Sequence, residues 1–400
     1  MTISTQIQGV VVAWQIYDIT RDPLSLGMMG LAEALPFLAV ALYAGHLADR
    51  LNRHRITVTS LTVLFGCSLA FLVFNLIPGF LHRHGAWPFY LVIFVSGLAR
   101  SFAQPARQAL GAELVERRLY ANAVAWRSST GQFAAVVGPA IGGLIYGFAS
   151  PRVAYVADAF LMAAAAVWFS SIAYTPRTTE PGRRESMASS LSVGVRFVFA
   201  EPVLLSALAL DMFSVLLGGA EALLPVFADQ VLHVGPQGLG VLRAAPAVGA
   251  VVASVYLAHR PPFKRAGVTM LRAVGVFALC IMGFGLSRSV TLSVALLALS
   301  GVADNVSVLI RSTLLQSLTP EALLGRVSSV NSIFVGSSNE IGAFESGVAA
   351  RLLGTVPSVV LGAAASLGVV LFIGWRVPRL RRLGRIDEVV PAEYQPALSA

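Results

Sequence analysis

Gly45-His46-Leu47-Ala48-Asp49-Arg50-Leu51-Asn52-Arg53-His54-Arg55 joins two apolar segments, one ending near Tyr43 and the next beginning at Ile56. It is a short basic turn between two hydrophobic helices. Positive charge in short loops marks the cytoplasmic side of a membrane protein. The rest of the chain agrees with that setting. Of its 400 residues 56% are hydrophobic and only 12% are charged, with a mean hydropathy of +0.74. Soluble domains carry about 25% charged residues. Half that share, with repeated apolar runs of about 20 residues, describes an all-α integral membrane protein.

The net charge of +9 does not point to nucleic acid. Of the 29 basic residues 28 are Arg, mostly at segment ends, and no basic patch interleaved with aromatics occurs. Cys67 and Cys280 lie inside apolar runs and read as small buried hydrophobes. No metal-ligand cluster, nucleophile motif or phosphate-binding Gly-Lys-Ser/Thr loop is present. No enzyme, metal or cofactor is expected, and no ATP-driven pump.

Apolar segments read at 3–20, 24–47, 56–78, 88–106, 121–148, 151–173, 202–226, 236–258, 268–287, 290–310, 327–350 and 356–376. This predicts two six-helix bundles, 1–173 and 202–376, a cytoplasmic linker at 174–201 with a short amphipathic helix, and a tail at 377–400. With segment one running inside to outside, the inner side holds 20 Lys and Arg residues, and the outer side holds Arg21, Arg83, Arg152, Arg288 and Arg351. That asymmetry places both termini in the cytoplasm. Segment one has few apolar residues and no basic flank before Arg21. A truncated first helix is expected, with the natural start some ten residues upstream at ~1.5 Å of helix each.

The halves repeat. Ser96-Gly97-Leu98-Ala99-Arg100 in segment four matches Ser300-Gly301-Val302-Ala303-Asp304 in segment ten, and Arg107 falls on Arg311 at the same offset of 204. Pseudo-symmetric halves are expected of a carrier that rocks about a midplane site. Arg100 and Asp304 then become candidates for a gate-closing pair.

The pattern Gly45-x-x-x-Asp49-Arg50-x-x-Arg53-x-Arg55 resembles the loop between helices 2 and 3 of major facilitator superfamily transporters. Further stretches resemble the branch of enterobactin-exporter and macrolide-efflux-like proteins. These are Gly30-Leu-Ala-Glu33-Ala-Leu-Pro36, Gly138-Pro139-x-x-Gly142-Gly143, Leu242-Arg243-Ala-Ala-Pro246, Gly325-Arg326-Val-Ser-Ser-Val-Asn331 and Ser337-Ser-Asn339-Glu340-x-Gly342. The resemblance implies a twelve-helix major facilitator fold acting as a monomer in the bacterial inner membrane. It implies a proton-coupled exporter of a small amphiphilic molecule such as a siderophore, drug or secondary metabolite. Uptake by the same fold and a non-transporting receptor or scaffold remain open. It also implies that Gly45, Asp49, Arg50 and Arg53 latch the cytoplasmic side. Gly138, Pro139, Gly142 and Gly143 stand where antiporters carry a helix-5 signature.

Charged residues inside a membrane are costly and are hypotheses about function. Glu33 reads equally as a proton-titrating carboxylate and as a structural partner. By the resemblance, segment seven lines the central cavity, which makes Asp211 a cavity carboxylate. Arg243 reads as an ion-pair partner of Glu221 or Asp211. Glu340 reads as functional or as a bundle contact.

Overall fold

The computed structural model describes residues 1–174, 187–260 and 263–385, and within them the side chains of all but 38, 41–50, 117, 121 and 187–191. Among the described residues twelve long helices follow one another: α1 Thr2–Thr20, α2 Pro23–Arg50, α3 Arg53–Leu76, α4 Trp87–Leu114, α5 Tyr120–Phe148, α6 Pro151–Ser170, α7 Pro202–Gly218, α8 Gly235–Ala258, α9 Ala266–Leu286, α10 Val290–Leu318, α11 Glu321–Leu353 and α12 Thr355–Arg376. Among the described residues, eight helices are long and apolar enough by themselves to cross a membrane. Several large exposed aromatic side chains stand near helix ends. Trp87 and Phe148 lie at one level of the bundle, and Trp126, Trp168 and Trp375 at the other. Aromatic side chains gather at membrane interfaces because their rings are apolar and their edges are polar.

Local chemistry sets the boundaries. The Asn52 side chain accepts from Arg55 N–H at 3.1 Å and starts α3. Ser150 caps α6 through Val153 N–H at 3.3 Å. Such caps satisfy donors left free by the first helical turn. Asp49, read as part of the basic turn, stands instead in the last turn of α2. Several helices outrun their apolar segments. Helix α4 ends at Leu114 rather than 106, and α10 at Leu318 rather than 310. The outer stretch around His82 forms a short helix, Phe80–His84. The linker helix spans Met187–Ala200, and its Gly194 lies against the α11 backbone at Arg326.

The halves α1–α6 and α7–α12 meet chiefly through α2 on α11 and α5 on α8. Both seams use glycine. A Cβ on Gly27 would stand 3.1 Å from Gly347 Cα, and one on Gly143 2.9 Å from Gly240 Cα. Close backbone approach of this kind needs residues without side chains. Both seams lie at the end of the bundle that carries Arg21, opposite the basic turn. Ion pairs join the halves at the same end: Arg21 to Asp229 at 2.7 Å and Arg351 to Asp22 at 3.1 Å. Beneath them an apolar cluster crosses between the halves, with Trp14, Tyr17 and Leu26 against Leu223, Phe227 and Leu239. Among the described residues it is the one core cluster shared by both halves.

Candidate functional site

Between the halves lies a cavity of about 420 Å³. Its walls come from α1, α2, α3, α4, α7, α8 and α11 and from the turn that follows α7. Apolar faces come from Val12, Leu26, Met29, Phe71 and Ile93. Glu33, Glu221, Glu340, Arg100 and Arg243 supply the charge, and Gln6, Gln8 and Asn339 supply neutral polar groups. A pocket that is part apolar, with a few convergent polar groups, suits a small amphiphilic ligand.

Glu33 and Arg100 form an ion pair between α2 and α4. The pair is fixed by helix packing, since Gly97 sits against Pro36 and the Glu33 carbonyl. Arg100 also approaches the Ser96 hydroxyl at 3.4 Å. Glu221 reaches the cavity because α7 breaks at Gly218-Gly219 and a 3₁₀ turn, Ala220–Leu223, follows. The Ser346 hydroxyl donates to the freed Gly219 carbonyl at 3.0 Å. Glu340 projects from α11, one helical turn from Ala343, which packs on Gly30. Among the described residues Arg243 makes no ion pair and no hydrogen bond.

Helix α1 is also pinned to α6. Buried Asp158 of α6 accepts from the Ser4 hydroxyl at 2.5 Å and from Gln8 Nε2 at 2.9 Å. Gln15 continues the ladder, with Tyr155 donating to it at 2.7 Å. The helix-5 motif closes the remaining side. Gly138 and Gly142 face Gln6 and Ile7 of α1, while Gly143 faces α8. Gly138 and Gly142, four residues apart, lie on one face of α5, and Gly143 turns to the next. The motif therefore packs the same helix against both α1 and the opposite half.

The sequence pattern of transmembrane secretion effectors matches residues 1–398. The chain belongs to that family. It is similar to the enterobactin exporter of Escherichia coli O1:K1 / APEC, at 29% identity over 93% of this chain and 87% of the relative. The enterobactin exporter of Shigella boydii serotype 18 is 28% identical over the same shares. Among solved structures, a bacterial homolog of the human lysosomal transporter Spinster superposes with a TM-score of 0.69 at 13% identity, covering 95% of this chain and 97% of that one. A nucleoside transporter gives 0.70 at 12% identity, covering 94% and 97%. These likenesses carry the major facilitator fold. This secretion effector is a multi-pass membrane transporter of that superfamily, not an enzyme.

Three expected site roles change in this secretion effector. Asp211 does not line the cavity. It is buried and paired with Arg311 of α10 at 3.0 Å, and Arg311 also donates to Asn331 of α11 at 2.9 Å. Arg243, expected in an ion pair with Glu221 or Asp211, stands in the cavity without one. Arg100 pairs with Glu33 of its own half and not with Asp304. In the basic turn, Arg53 pairs with Glu113 of α4 at 2.5 Å, again within one half. The side chains of Asp49 and Arg50, and the surroundings of Gly45, fall outside what the structure describes. Sequence reasoning missed Glu221 as a cavity residue and the ion pairs of Asp22 and Asp229. The Gly218-Gly219 doublet was the available signal for the first.

Proposed function

We propose that the protein is a proton-coupled exporter of a small amphiphilic molecule, a siderophore, drug or secondary metabolite, working by alternating access as a monomer. The observation that carries this reading is the shared cavity: one charged, part-apolar space, walled by both halves and closed at the Arg21 end by glycine seams and an apolar cluster. The basic loops support a reading with both termini in the cytoplasm of a bacterial inner membrane. On that assignment the cavity faces inward, where an exporter loads. Similarity to enterobactin exporters favours outward movement. Coupling runs through the cavity carboxylates Glu33, Glu221 and Glu340, which can exchange a proton for substrate. Gly138, Pro139, Gly142 and Gly143 give α5 the packed, bendable form that rocking needs.

The test is a substrate screen in a bacterial strain stripped of its own efflux pumps. Expression should raise tolerance to, or release of, at least one amphiphile, and collapsing the pH gradient should abolish the gain. Accumulation inside the cells would show uptake instead. Export that survives loss of the pH gradient would remove the proton.

A further inference from the structure

The two halves carry one motif with its charge reversed. Gly30-x-x-Glu33-x-x-Pro36 in α2 corresponds to Gly240-x-x-Arg243-x-x-Pro246 in α8. The packing corresponds too. Gly97 of α4 lies against Pro36, and Gly301 of α10 lies against Pro246. The third element is reversed as well, since Arg100 and Asp304 occupy matching places in α4 and α10. In the first half the charges close on each other, Glu33 to Arg100. Among the described residues, neither Arg243 nor Asp304 of the second half forms an ion pair. Arg243 lines the cavity instead, with Nη2 3.7 Å from where a Cβ on Gly9 would stand.

An unpaired guanidinium in a membrane cavity is expensive, and its planar fork of donors matches an acidic group in bidentate fashion. Arg100, the other cavity cation, is already taken by Glu33. We propose that Arg243 is the anchor for a single acidic group on the substrate, resting on the export reading of the cavity above. The ligand class is an amphiphilic monoacid, with its apolar body against Val12, Leu26, Met29 and Phe71. Glu340, within electrostatic reach of Arg243, and Glu221 also line the cavity, and their charge disfavours any anionic group beyond the one that Arg243 holds.

The test uses washed everted membrane vesicles and fluorescent arylalkanoic acids, pyrenebutyrate among them, each matched with its neutral amide. Arg243→Gln should lower accumulation of the acids by about tenfold or more, the loss of one charge-assisted contact, and leave the amides within about twofold. Arg243→Lys should restore part of the acid transport. Size-exclusion profiles of the variants show that they are folded. Equal loss of acid and amide would make Arg243 merely structural and overturn the proposal. So would unchanged acid transport in Arg243→Gln, or a wild type that moves only amides. A wild type that moves no member of the panel or of the wider substrate screen removes the export reading itself, and the anchor with it.

Discussion

Two ion pairs join α2 to α4 and α7 to α10, and they differ in what surrounds them. Asp211 and Arg311 have side chains only 7% and 8% exposed, away from the cavity, with Asn331 completing the arrangement. Glu33 and Arg100 are 23% and 31% exposed and line the cavity. A buried pair is held by its surroundings, and removing one member strands the other charge. A pair facing a polar cavity can open, exchange partners or take up a proton at small cost to the fold. Intramembrane charge therefore occupies two different settings here, and burial separates them.

Asp211→Asn gives the largest effect. Breaking a buried pair costs about 3–5 kcal/mol, so the variant should show little folded protein in a thermal-stability assay on detergent-solubilised membranes. Wild-type stability in Asp211→Asn would erase the distinction between the pairs. Glu33→Gln should fold normally yet lose about tenfold or more of its export, measured as substrate release per unit of folded protein. Loss of folded Glu33→Gln protein would move this pair into the structural class. The smallest effect belongs to Arg21→Ala. Its pair with Asp229 is exposed, and such pairs are worth about 0–1 kcal/mol. The melting temperature should hardly move, because glycine contacts and the apolar cluster keep that end shut. A large drop would show that charge, not packing, closes it.

The contrast between the pairs also shows how far the sequence could be read. Apolar runs located the twelve long helices among the described residues, although only eight of them are long and apolar enough by themselves to cross a membrane. Helix ends were harder, since hydropathy marks where lipid stops and α10 continues to Leu318 without lipid. The half-to-half match of Ser96-Gly97 with Ser300-Gly301 was legible, and both glycines take equivalent packing roles. Glu33, Arg243 and Glu340 were visible as charges in apolar runs, and all three line the cavity. Partners were not legible. Asp211 meets Arg311 a hundred positions away, and that choice depends on helix rotation and crossing, which no local pattern encodes. Glu221 was hidden because its direction depends on where α7 breaks.

On the export reading, one cavity lies between the two halves, closed at the Arg21 end and reached from the end of the basic turn. Ala343→Cys, in a background with Cys67 and Cys280 replaced, places a thiol on the cavity wall. Sealed vesicles of either orientation can then be treated with a membrane-impermeant maleimide in the absence of substrate. The account predicts strong labelling from the side of the basic turn and little from the Arg21 side. Labelling chiefly from the Arg21 side, or from neither, would contradict it.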